Sequence, residues 1–280
     1  MKTKLVVVIS LLFVASAWPA QSQDNSTSSS AETRPPVTSV DQQKSDYFYQ
    51  LEKYRQAKQQ FVLDRAEDYS LKTLATREKL VGSYKNLLTV RSNTLTTYLL
   101  PLRHLLFDTQ GIDVGDKQKA LGQIDESLQR LSSHQKNIPG LTDMNNVGNE
   151  ATRFESEDVP VFLEASYRSL TLLAIGRIQS IADQVVVVSR DFTAEVVDIE
   201  VDANNKAVME RGMSEVARLQ VDASEAIKQA RTSFTGFDKE KREDGFNTQP
   251  IYQRVADQLN PAYTSLSRAL DYLSELEKNS

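Results

Sequence analysis

Apolar residues recur every three or four positions along most of the chain, and few turn residues interrupt them. From Asp41 or Ser45 to Asp108 the pattern begins as Tyr47, Leu51, Tyr54 and Phe61. It resumes as Val81, Tyr84, Leu88, Leu95, Tyr98, Leu102 and Leu105. The spacing predicts one helix of about 68 residues, roughly 100 Å long, bent near its end by Pro101 and stopped by Gly111 and Gly115. Asp113 or Asp116 caps a second helix to about Asn137, with Leu121, Ile124, Leu128 and Leu131 on one face. Pro139 and Gly140 end it, and a connection of roughly twenty residues follows, long enough to return the chain to its starting level.

Ser156, with Pro160 in the first turn, opens a third helix reaching about Phe234. Its seam runs through Tyr167, Ala174, Ile178, Ile181, Val185, Val188 and Phe192, turns polar at Glu195, Asp202 and Lys206, and recovers at Met209, Val216, Ala223, Ile227 and Ala230. A 3.5-residue period held this long predicts a coiled-coil strand of roughly 115 Å. Thr248 and Pro250 start a fourth helix with the seam Val255, Leu259, Ala262, Leu266, Ala269, Leu273 and Leu276, kinked at Pro261.

These elements imply an all-α, elongated antiparallel coiled-coil bundle of about four helices, two of them very long. Pairing the first and third helices with Leu106 near Phe162 sets Glu195 and Asp202 opposite the polar interruption from Asp64 to Arg77. Arg65, Lys72, Arg77, Glu195 and Asp202 then form a polar layer that fixes register. The shorter helices cover the ends, giving three-helix ends and a two-helix middle. In that middle Val186, Val187, Val196 and Val197 are an exposed β-branched surface for a protein partner or a second copy in a homodimer.

The amino terminus sets the compartment. Lys2 and Lys4 precede an uncharged apolar run, Leu5 to Val14, and Ala15-Ser16-Ala17 has the small-x-small spacing of a cleavage site. Residues 1–17 are expected to be a signal peptide, with an uncleaved anchor as the alternative. Residues 18–44 are expected to be a disordered Ser/Thr/Pro leader and residues 45–280 the helical domain. The chain is expected to be exported, whether periplasmic, on the cell surface or extracellular.

Composition narrows the chemistry. There is no cysteine, so disulfides, thiolate metal sites and a cysteine nucleophile are excluded. Neither His104 nor His134 belongs to a metal-ligand motif, and the stripe Asp191, Glu195, Asp198 and Asp202 lacks a loop to shape a cation cage. Phosphate-binding glycine loops and serine nucleophile elbows are absent, so neither a catalytic centre nor a cofactor is expected. A net charge of -5 argues against nucleic acid as a partner. No segment after the signal was found to approach the twenty apolar residues of a membrane span, so stable insertion is not expected. Tyr47, Phe48, Tyr49 and Tyr54 form an aromatic cluster that suits the closure of a bundle end better than a ligand platform.

The stretches YRQAKQQFVLDR and TREKLVGSYKNLLTVRSNTLTTYLLPLRHLL resemble uncharacterised exported long-helix proteins that share tyrosines, an Arg/Lys-rich seam and a terminal Tyr-Leu-Leu motif. The resemblance covers the first helix, from which Pro101 departs, and it implies a fold without an activity. The expected function is a non-catalytic structural, scaffold or interaction module of the cell envelope or extracellular space. A helical ligand-sensing module is the alternative, ahead of a membrane-active protein.

Overall fold

The computed structural model describes residues 39–197, 203–239 and 248–279. The expected signal peptide, nearly all of the leader, Asp198, Asp202 and the charged connection at 240–247 lie outside them, as do the side chains of Glu195, Val196 and Val197. Every regular element among the described residues is helical. The long ones are α1 (Val40–Leu71), α2 (Leu74–Asp108), α3 (Val114–Asn137), α5 (Val159–Val197), α6 (Ala203–Phe234) and α8 (Gln249–Asn279). Two short helices, α4 (Met144–Arg153) and α7 (Gly236–Lys239), complete the set.

The expected first helix is a hairpin. Lys72 takes the left-handed conformation (φ 51°) and its N–H caps α1 through Asp68 O. Thr73 and Thr76 then exchange side-chain and backbone hydrogen bonds in a capping box that opens α2. Antiparallel packing follows along the whole length: Arg77 meets Asp68, the Phe61 and Tyr84 rings lie 4.6 Å apart, and those of Tyr47 and Tyr98 lie 5.7 Å apart. The helix also starts earlier than expected. Ser39 Oγ accepts from Gln42 N, so residues 40–44 are helix and not leader.

The expected third helix is likewise two antiparallel halves. Gln220 Nε2 donates to Ser189 Oγ at 2.9 Å, and Arg231 to Gln179 Oε1 at 3.2 Å. This replaces the single rod and its pairing with the first helix. α2 and α5 run parallel instead, through Arg91–Glu155 at 2.7 Å and the Tyr98 and Phe162 rings at 5.7 Å. With both rods folded back, neither the two-helix middle nor the three-helix ends exist in the form expected.

The second helix starts at Val114 with Asp113 Oδ1 accepting from Gly115 N and Asp116 N. The long connection after it is no loop. It carries a 3₁₀ turn at Ile138–Gly140, then α4, then a π-turn at Phe154–Asp158 that feeds directly into α5. Val147 and Ala151 of α4 pack on Leu88 and Ile138.

Two groups of helices share α5. Its first half packs on α2 and α3, where Gln123 Nε2 donates to Glu164 at 2.9 Å. From Tyr167 onward it also packs with α6 and α8, the Tyr167 and Tyr252 rings lying 5.8 Å apart. All seven expected seam residues of α8 are buried. An interior proline costs about 3 kcal/mol. Burial of Leu259, Leu266, Leu273 and Leu276, at about 1.5–3 kcal/mol each, outweighs Pro261 and the helix runs on. The two groups touch closely where Gly176 of α5 meets the 109–112 loop. A Cβ there would sit 2.7 Å from Gln110 O, and Gly111 answers with φ 74°.

Candidate functional site

Two charged centres lie inside the fold. The first surrounds the π-turn. His134 is buried, its Nδ1 2.5 Å from Glu150 Oε1 and its ring stacked on Phe154 at 4.2 Å. Burial, the largest influence, lowers the His134 pKa against the opposing pull of Glu150. Glu150 is held below the usual carboxylate range, first by its hydrogen bond from Arg153. A cleft of about 400 Å³ beside this centre is lined by Glu126, Arg130, Arg153 and Asp158. These four are already paired with one another or with Glu150, so no charge is left to hold a ligand.

The second centre joins α5 to α7. Arg168 donates from Nη2 to Phe237 O (3.1 Å) and Asp238 Oδ1 (2.7 Å), with the Phe234 and Phe237 rings beside its guanidinium. Asp238 also pairs with Lys119. Nearby, a cavity of about 240 Å³ is lined by Asp113, Asp116, Arg231 and Asp238. Burial, then the charges of Asp113 and Asp238, raises the Asp116 pKa. Among the described residues no three His, Asp or Glu side chains are grouped to hold a metal.

The remaining candidate is the tip of the α1–α2 hairpin, which is built inside out. Its seam is polar. Asp64 is buried and accepts from Gln60 Nε2 at 2.8 Å, with Lys79 Nζ 3.2 Å away. Asp68, also buried, accepts from Thr76 Oγ1 at 3.1 Å and from Arg77 Nε at 3.2 Å. Burial acts to raise the Asp64 pKa, but the hydrogen bonds from Gln60, Lys79 and Ser83 prevail and hold it low. The apolar side chains point the other way: Val62 is 56% exposed, Leu63 63%, Tyr69 79%, Leu71 59% and Leu74 75%. An open groove of about 910 Å³, lined by Phe61, Arg65, Tyr69, Arg77, Tyr84 and Met144, runs along one side.

The expected polar layer is thereby dissected. Arg65, Lys72 and Arg77 all belong to this tip, where Arg77 pairs with Asp68 of its own hairpin and Lys72 makes the turn. Arg65 lines the groove and has no ion pair among the described residues. Antiparallel folding of each rod removes the register that set these cations opposite Glu195 and Asp202. Of the valine surface, Val186 and Val187 are exposed at 52% and 44%, while Val188, expected in the seam, is exposed as well and Val185 is fully buried.

The other candidates resolve simply. Tyr47 packs into the interior and burial pushes its phenol up to about 12, whereas Phe48 and Tyr49 remain exposed. His104 pairs with Asp108 at 3.2 Å, and Asp191 with Arg190 at 3.0 Å. The sequence reading missed the tip, whose available signals were Thr73-x-x-Thr76 and two leucines flanking the turn. No family model, curated protein or solved structure matches the chain.

Proposed function

We propose that the chain is a non-catalytic interaction module of the cell envelope or extracellular space. The observation that carries this reading is the α1–α2 tip, whose polar groups face inward with their hydrogen bonds made while its leucines, valine and tyrosine face outward. Water is a poor environment for that arrangement, and an apolar partner surface is a good one. The exposed valines of α5 add a second surface, suited to another helix or a second copy. Export rests on the pattern of Lys2, Lys4, Leu5 to Val14 and Ala15-Ser16-Ala17.

Two competing readings have less support. A ligand-sensing module needs an enclosed pocket; among the described residues the acidic cavity of about 240 Å³ is smaller than the about 300–1,000 Å³ of typical small-molecule sites, and the 400 Å³ cleft and 910 Å³ groove lie open to solvent. For a membrane-spanning role, the continuous helix Met144–Ala194 holds one 18-residue window of mean hydropathy 1.4, more apolar than the sequence reading allowed. Only 33% of that window is buried, so α5 is in part a packed helix and in part an apolar surface, which suits a protein partner as well as a lipid one.

A photo-crosslinking residue at Leu63 or Val187, introduced in the producing cell, tests the reading. Adducts are expected at one or both positions and not at exposed Thr264. Absence of any adduct above that control at both positions overturns it, and recovery of the protein with residues 1–17 attached in the cytosol overturns export.

A further inference from the structure

Three properties of the α1–α2 tip together identify what it meets. The first is the distribution of apolar groups. At about 100° per residue, Leu71 lies roughly opposite Val62 and Tyr69 around α1, and Leu63 falls between them. A protein groove takes one face of a helix. Here the apolar side chains surround the end of the hairpin, and Leu71 and Leu74 flank the turn itself.

The second property is charge. The chain is acidic overall, yet from Tyr69 to Arg77 it carries Lys72 and Arg77 and no acid. The carboxylates behind, Asp64 and Asp68, are buried in the seam, where Arg77 pairs with Asp68 and Lys79 is shared between Asp64 and Glu67. Glu78 lies beyond the last residue of the acid-free run. Arg65 is left without an ion pair among the described residues, about 9 Å back from Leu71 along the axis. Lys72, at the turn, holds its ammonium over the Tyr69 ring at 5.8 Å.

The third is rigidity. The left-handed cap at Lys72 and the Thr73–Thr76 capping box fix the turn, so little ordering is needed on contact. An apolar end, an aromatic ring beside it and cations about one headgroup depth behind match the interface of a lipid bilayer, in which interfacial helices sink about 5–10 Å. We propose that the α1–α2 tip docks peripherally on an anionic lipid surface, with Leu71, Leu74 and Tyr69 entering the headgroup–acyl boundary and Arg65 and Lys72 meeting phosphates. The proposal rests on the interaction reading above and names the partner of this one surface.

The natural absence of cysteine makes the test local. In the full chain, Ala75→Cys carries an environment-sensitive dye at the tip and Thr264→Cys carries it on α8, each mixed with phosphatidylcholine vesicles with and without phosphatidylglycerol. With the anionic vesicles, the dye at position 75 is expected to shift to the blue and to be quenched by lipid-borne quencher, while the dye at 264 stays in water. Because the readout is at the tip, lipid affinity of the Leu5–Val14 segment cannot imitate it.

Leu71→Ser with Leu74→Ser should raise the lipid concentration needed by at least about tenfold, with helix content unchanged because both side chains are exposed. Arg65→Glu with Lys72→Glu should weaken binding only where phosphatidylglycerol is present. A dye at position 75 that remains in water on both vesicle types overturns the proposal. If protein adducts still form at Leu63 in cells, the interaction reading survives that failure; if they are also absent from Val187, both fall.

Discussion

Arg168 is the most deeply buried cation in the fold, 1% exposed, and its ion pair is lopsided. Asp238 has a side chain 40% exposed and keeps Lys119 as a second partner, whereas Arg168 Nε and Nη1 have no hydrogen-bond partner among the described residues. Removing either member should therefore have unequal effects. In Asp238→Ala the guanidinium stays buried with one carbonyl and Glu164 at 3.8 Å, so the loss should approach the about 3–5 kcal/mol seen when a buried pair is broken. Glu164 places it near the lower end, about 3 kcal/mol, or a fall in Tm of about 6–12 °C for a domain of this size.

Arg168→Met removes the buried charge and retains an unbranched chain between Phe234 and Phe237. Asp238 then turns to solvent and Lys119, and Glu164 keeps Gln123. The cost should stay below about 1.5 kcal/mol. Urea unfolding of both variants and of the double variant is the assay, with the double variant expected to resemble Arg168→Met alone. If Arg168→Met costs as much as Asp238→Ala, the buried charge itself is stabilising and the reasoning is refuted.

Gly176→Ala should lose about 1–3 kcal/mol, because its Cβ would stand 2.6 Å from Ile112 Cγ1 and 2.7 Å from a backbone oxygen; an unchanged Tm contradicts this. His134 has a folded-state pKa below its unfolded value near 6.5, so its contribution is present above that pH and is lost as pH falls through the lower folded value. Chemical denaturation from pH 7.5 to 5 should show that decline, and His134→Phe should flatten it; parallel curves exclude His134 as its source. Replacing Val186 and Val187 with glutamate should leave helix content intact and, if α5 mediates self-association, convert dimer to monomer in light scattering. A wild-type chain already monomeric at micromolar concentration removes that surface as a homodimer contact.

The sequence was most readable where an apolar seam had one face to satisfy. The α8 stripe is buried residue for residue, and Asp113 caps α3 as its chemistry suggests. The reversals were hidden because a seam that turns polar, as at buried Asp64 and Asp68, does not tell whether the chain continues or turns back. At 72–73 neither glycine nor proline marks the turn; a left-handed lysine and a threonine pair make it instead. Folding back gives Phe61 and Tyr84 each other as partners at short loop length, which a straight rod could not do. The tip is illegible for the same reason, since leucines beside a turn look like ordinary lapses of a heptad seam.

The π-turn between α4 and α5 makes chain length, alongside the buried Phe154 and Asp158, a quantity that descent must conserve. Loss of one codon there would restore ordinary α geometry locally, yet it would rotate everything downstream by about 100° relative to α4. Phe162 would leave Tyr98, and the stripe that receives α6 and α8 would face elsewhere. A one-residue deletion would require the helices beyond it to be re-evolved together.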